Sequence, residues 1–245
     1  MATLTEKTLT SLASEFRLSP GKHSSPDEGM CAMELVAFLD GGPHTDQPRC
    51  TCELVSAFVR SINDNMPDDV RHKLLPFLPR LIGTVADNHE QEQERHDYFA
   101  WQTIRVFAPA ALRAQGYRRF ARVLQNAETL RSARAIADTV RRGVANKETD
   151  DTPTPAALAV HHAARAAGAA MWFAGRQDGF LKGNSITPWT TCPEAAASAA
   201  FQAHRAGSAG VWDQALDALE GVLSIGSAER GSATIARSAV GALSL

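Results

Sequence analysis

The sequence predicts an all-α protein, a multi-helix bundle that is alanine-rich in its C-terminal half. Three observations carry that expectation. Apolar residues recur at helical spacing in one segment after another, and no stretch sustains the alternation of a half-buried strand. Alanine, the strongest helix former, supplies 42 of the 245 residues and crowds the region after residue 155. Proline, glycine and short polar residues fall between the periodic segments, where they can cap and end helices.

Taken in order, Thr3 to Phe16 has the spacing of a first helix, and residues 19–29 (SPGKHSSPDEG) read as a loop. Asp27 is placed to cap a helix from about Met30 to Asp40, which Gly41, Gly42 and Pro43 end. Thr51 to Asp64 carries the stripe Leu54, Val55, Phe58, Val59 and Ile62. Pro67 suits the first turn of the next helix, where its missing N–H costs nothing, and Pro76 and Pro79 break that helix into short turns. A long helix is expected over His89 to Ala114, kinked or restarted at Pro109. Glu128 to Val144 follows, with Leu130, Ala133, Ala137, Val140 and Val144 on one face. Thr154 and Pro155 form a helix start, N-cap then first position, for an alanine-rich helix over Ala156 to Trp172. Pro193 to Ala206 and the amphipathic Gly210 to Leu223 complete the series.

This order predicts an N-terminal helical module over 1–145, a polar linker over 146–155, an alanine-rich module over 156–225 and a loosely ordered tail over 226–245. No apolar run reaches the roughly 18 residues of a membrane span, and the N-terminus lacks the apolar core of a secretory signal. Four cysteines without framework spacing fit reduced thiols and a cytoplasmic protein.

Charge is segregated along the chain. Residues 1–104 hold nine Lys/Arg against sixteen Asp/Glu, whereas residues 105–147 hold ten against two. The basic block includes Arg118, Arg119, Arg122, Arg131, Arg134, Arg141 and Arg142, with Asp138 one turn from Arg134. A basic helical stripe suits phosphate or carboxylate partners. It equally suits internal pairing with the acidic N-terminal block, and no DNA- or RNA-binding signature accompanies it.

The candidate chemistry lies between Met30 and Thr84. Glu34 stands in a helix that is otherwise apolar all round, so it must find a partner or shift its pKa. Arg49 and Arg60 are the nearest candidate partners in sequence, and Cys31, His44, Asp46, Asn63 and Asp64 are the residues that would line a pocket there. Cys31, Cys50 and Cys52 lack the paired spacing of a zinc site and read as small hydrophobes, so no metal or cofactor is expected. His89, Glu92 and His96 share a face, but their polar setting reads as a solvated helix start. No phosphate-binding loop, dinucleotide fingerprint or HExxH helix is present.

Cys31-Ala32-Met33-Glu34, the Asp46-Gln47-Pro48 turn, Asn63-Asp64 and the run from Leu75 to Thr84 (LPFLPRLIGT) resemble a block in uncharacterised alanine-rich helical proteins of actinobacteria and their phages. The resemblance covers residues 29–84; beyond them it is one of composition, ending near the Trp212-Asp213 helix. It implies a helical family and brings no catalytic residues with it. The expected function is therefore non-enzymatic: an interaction or regulatory protein that contacts an acidic protein partner or nucleic acid through helices 113–142. Trp212, Leu216, Leu219 and Leu223 would pack the chain or join two copies. The alternative is a small-molecule-binding protein or enzyme with its site around Glu34, the 41–52 loop and Asn63-Asp64.

Overall fold

The computed structural model describes residues 16–145, 152–175 and 190–226, and Cys31 caps the first α-helix among them. Helix α1 spans Ala32–Leu39, and its cap is Cys31 rather than Asp27. The Cys31 sulfur accepts the Glu34 N–H while the Glu34 carboxylate accepts the Cys31 N–H, a reciprocal capping box with cysteine in the usual place of serine. Asp27 instead lies in a short 3₁₀ turn, Pro26–Glu28. The helix expected over Thr3 to Phe16, most of the linker expected over 146–155 and the tail expected over 226–245 fall outside the described residues, apart from their edges.

Helices make up most of the described residues. A single bridge between Leu18 and Met30 is their one β-type pairing, and no strand occurs among them. None of the described helices is long and apolar enough to cross a membrane. The chain forms two compact units, Met1–Asp87 with Leu219–Leu245, and Asn88–Ala218. The chain passes from one unit to the other after Asp87 and back after Ala218.

In the first unit α1 packs on α2, Glu53–Asn65, and on the short helix Leu78–Leu81. Met33, Leu35, Leu39, Leu54, Phe58 and Ile62 are fully buried. Each such side chain contributes about 1.5–3 kcal/mol of burial free energy. Pro76 and Pro79 divide the chain as expected, into a 3₁₀ segment His72–Phe77 and the turn Leu78–Leu81. Arg71 is buried and donates to the carbonyls of Asn63 and Met66, which closes the C-terminal end of α2. At the other end of the unit's sequence, Glu220 takes a bidentate pair of 2.6 Å bonds from Arg80.

The second unit is built around α7, Pro155–Ala174, whose expected cap and first residue are both present: the Thr154 hydroxyl accepts the Ala157 N–H. Helix α7 packs against α3 (His89–Gln102), α4 (Ala108–Ala114), α6 (Leu130–Ala145) and α8 (Thr191–Arg205). Its buried face is nearly all alanine, including Ala159, Ala163, Ala166 and Ala170, and it meets Ala195, Ala196, Ala199 and Ala200 of α8 in kind. Side chains this small let helix backbones approach closely, and the Cys192 thiol reaches the Ala166 carbonyl across the α7–α8 contact at 3.5 Å.

The long helix expected over His89 to Ala114 forms with one local change. Thr103–Phe107 is a π-turn between α3 and α4, with the Ala108 N–H bonded to the Thr103 carbonyl. Pro109 has no N–H to give and would press on the carbonyl four residues back, and the wider turn accommodates both effects. The solvated start expected for α3 is only partly so. Gln91, Arg95 and His96 are buried, and His96 lies on the Phe173 ring at 4.1 Å. Burial, with the nearby His89 second, lowers the His96 pKa to about 4, so its imidazole is neutral near pH 7.

The last helix, α9, spans Val211–Ser224, and its apolar face matches the expected one. Trp212, Leu216, Leu219 and Leu223 are all buried within the chain. They serve internal packing and do not form an open surface for a second copy.

The close approach of α7 and α8 gives a direct test. Ala166→Leu should lower stability by about 1–3 kcal/mol through overpacking, read as a lower urea midpoint at unchanged slope. An equal or higher midpoint would contradict the contact.

Candidate functional site

Two places in the chain concentrate charge, one in each unit. The first is Glu34. It projects from the third position of α1 into full burial, at 0% exposure, and both carboxylate oxygens are occupied. Oε1 accepts the His23 backbone N–H at 2.7 Å and faces His44 Nε2 at 3.6 Å. Oε2 accepts His23 Nδ1 and the Cys31 N–H, each at 2.8 Å. Neither expected arginine is involved: Arg49 is exposed, and Arg60 donates to the Asp46 carbonyl. The partner is the 19–29 segment, which the sequence reading treated only as a loop.

That segment is a strap held along its length. Ser19 donates its N–H to the Met30 carbonyl, and its own carbonyl accepts Asn63 Nδ2 at 2.9 Å. Gly21 donates to the Asp64 carboxylate at 2.7 Å, and Lys22 lies 3.5 Å from Asp46. His44 Nε2 donates to the His23 carbonyl at 3.0 Å. Asn63 Oδ1 also accepts the Ala32 N–H at the start of α1. The structure thus brings Glu34, Cys31, His44, Asp46, Asn63 and Asp64 to one place. Their polar atoms are spent on the strap and the helix start. A cavity of about 420 Å³ in the same unit is lined by Phe16, Arg17, Leu18, Asp68, His72, Leu75 and Pro76, and none of the six borders it.

Burial alone would raise the Glu34 pKa, and it is the largest single influence. The hydrogen bonds from Cys31 and His23 together outweigh it and hold the carboxyl below its ordinary value. An ionised carboxylate can only accept, so His23 donates through Nδ1, and its Nε2 is the basic ring nitrogen when the imidazole is neutral. Gly29 leaves the space beside that edge open. Its φ of 129° suits glycine, and a Cβ there would meet Ser19 Oγ at 3.0 Å and His23 Nε2 at 3.2 Å.

Burial pushes the Cys31 thiol up to about 12, and burial followed by the Asp40 charge does the same for Cys50. The Cys50 carbonyl accepts the Gly83 N–H, and the Cys52 N–H binds the Thr84 hydroxyl. No group of three or more potential metal ligands comes together among the described residues.

The second place is the arginine face. Helix α4 ends in a Schellman turn, with Tyr117 N–H on the Leu112 carbonyl, Gly116 N–H on that of Arg113, and Gly116 at φ 84°. The turn leads straight into α5, Arg118–Gln125. Ala121 and Leu124 anchor α5, while Arg118, Arg119, Arg122 and Val123 face outward. On α6, Ala133, Ala137, Val140 and Val144 face inward, which turns Arg131, Arg134, Arg141 and Arg142 out. The Phe120 ring joins the two helices by lying against Gly143, where an added Cβ would come within 2.7 Å of it.

Among the described residues none of these seven arginines lies within 4 Å of a carboxylate, so the internal pairing considered from sequence is not made there. Arg134 leans on Gly168 of α7 instead of reaching Asp138, and Arg142 donates to Thr139. Between α5 and α6 lies an open cavity of about 580 Å³, lined by Tyr117, Phe120, Val123, Ile136 and Val140 with Arg118 and Arg119 beside them.

The Glu34 clasp carries a pH prediction. Its folded-state pKa is depressed, so its stabilisation is present above the ordinary glutamate value, about 4.3, and is lost as pH falls through the lowered value. At neutral pH, Glu34→Gln should cost roughly 1.5–3 kcal/mol, the worth of a hydrogen bond to a charged group. That gap should close in acid; a gap that stays constant would show that the charge is not what holds the strap. No protein-family model matches the chain, and no curated protein or solved structure does so either.

Proposed function

We propose that this is a non-enzymatic interaction protein whose arginine face, on α5 and α6, holds an anionic macromolecular partner. One observation carries the reading: seven exposed arginines share two packed helices and have no carboxylate within 4 Å among the described residues. Exposed like charges repel one another, and an anionic partner relieves that cost while releasing its own counterions. The residues assigned to contact are Arg118, Arg119, Arg122, Arg131, Arg134, Arg141 and Arg142.

A second reading, small-molecule chemistry at the strap, has its own observation. Glu34 orients His23 through a 2.8 Å bond, and Ser19 Oγ and His23 Nε2 both lie within 3.2 Å of one point above Gly29. A histidine held this way is suited to take a proton from a serine hydroxyl that comes within hydrogen-bond reach of it. If the site acts so, a fluorophosphonate probe attaches to Ser19 in the native protein and not in His23→Ala. An unlabelled Ser19 excludes this reading.

Polyglutamate and duplex DNA are suitable probes for the favoured one. Binding should be measurable at low salt and weaken steeply as salt rises, by a log–log slope of about 0.9 per phosphate engaged on the duplex. Arg118→Glu/Arg122→Glu should abolish it. Absence of binding to either polyanion at low salt would refute the arginine-face reading.

A further inference from the structure

The exposed arginines would serve any polyanion, but the groove between α5 and α6 would not. Nucleic-acid backbones are matched by charge and by aromatic faces set for stacking. Here the floor joins the Tyr117 and Phe120 rings, which stack on each other, to Val123, Ile136 and Val140, and it remains open to solvent. Val123 is 45% exposed, one of two large hydrophobic residues so exposed among those described. It sits one turn after Arg119 and next to Arg122, so apolar and cationic contacts alternate along a single helical edge. Across the groove α6 offers Ala135, Ile136, Thr139 and Val140, about one and a half turns of helix.

Resting on the arginine-face reading above, we propose that the groove receives an amphipathic acidic helix from a protein partner. Two apolar side chains at i and i+4 of that helix enter between Phe120, Val123 and Ile136. Its flanking carboxylates meet Arg118, Arg119 and Arg122. This is the helix-in-groove mode, in which a short apolar stripe supplies anchors and the rim sets orientation. Charge complementarity selects the occupant: the cations at the groove's rim have no carboxylate within 4 Å among the described residues, so an acidic helix satisfies both layers, whereas a basic or neutral helix satisfies only the floor.

The test uses the full chain and two synthetic peptides of identical composition. One has leucines at i and i+4 on a glutamate-rich helix; the other has the same residues scrambled so that no apolar stripe forms. The striped peptide should bind at least tenfold more tightly than the scrambled one. Val123→Asp, at an exposed position and so checked for an unchanged melting temperature, should remove that preference and leave the weak, salt-dependent binding of the scrambled peptide. Equal binding of both peptides, or a preference untouched by Val123→Asp, overturns the groove assignment while the arginine face stands. Duplex DNA binding tighter than the striped peptide and indifferent to Val123→Asp overturns it in favour of nucleic acid. Failure of every anionic probe at low salt removes the underlying reading as well.

Discussion

The small side chains on α7 are the constraint on which the second unit depends. A helix with alanine at Ala159, Ala163, Ala166 and Ala170 contributes little apolar area per residue, so its stability comes from contact on several sides. It obtains that contact by packing against α3, α4, α6 and α8 together. The consequence reaches the surface. Helix α6 must turn Ala133, Ala137, Val140 and Val144 toward its neighbours, which leaves Arg131, Arg134, Arg141 and Arg142 among its outward positions. The basic face is therefore fixed by the same packing that makes the core. Gly168 and Gly143 act at the same scale, since one admits the Arg134 guanidinium and the other the Phe120 ring.

In the first unit the corresponding role falls to one buried charge. Removing a carboxylate from water costs several kcal/mol and is tolerated only when its lone pairs are filled. Glu34 meets that condition with two backbone N–H groups and an imidazole, and in doing so fixes the strap, the start of α1 and the His44 loop. Such an arrangement has two physical readings. It holds three chain segments in one register, and it fixes the tautomer of a partly exposed histidine. The first is shown by the hydrogen bonds; the second gives the strap its residual chemical interest.

Much of the fold was legible because it rests on local rules. The stripe of α2, the Thr154–Pro155 start of α7, the proline breaks at Pro76 and Pro79 and the buried face of α9 all follow from spacing and capping. The residues singled out around Glu34 do lie near one another, yet the partner of Glu34 was not legible. His23 sits in a stretch of serine, proline and glycine with no periodicity, and only the three-dimensional path of the strap brings it to Glu34. One local signal was available: Cys31-x-x-Glu34 has the form of a capping box, with cysteine where serine is usual. His96 was misjudged for a similar reason. Its neighbours in sequence are polar, but its neighbours in space are Phe173 and α7. The groove could not be read at all, because Val123 and Ile136 belong to different helices and each looks like an ordinary core residue.

We propose that this protein acts through the face made by α5 and α6. Hydrogen–deuterium exchange with and without a saturating acidic amphipathic peptide tests it most directly. Protection concentrated between Gly116 and Val140, with the strap and the Glu34 centre unchanged, is the predicted result. Protection centred on the strap, or none in the α5–α6 segment, would contradict it.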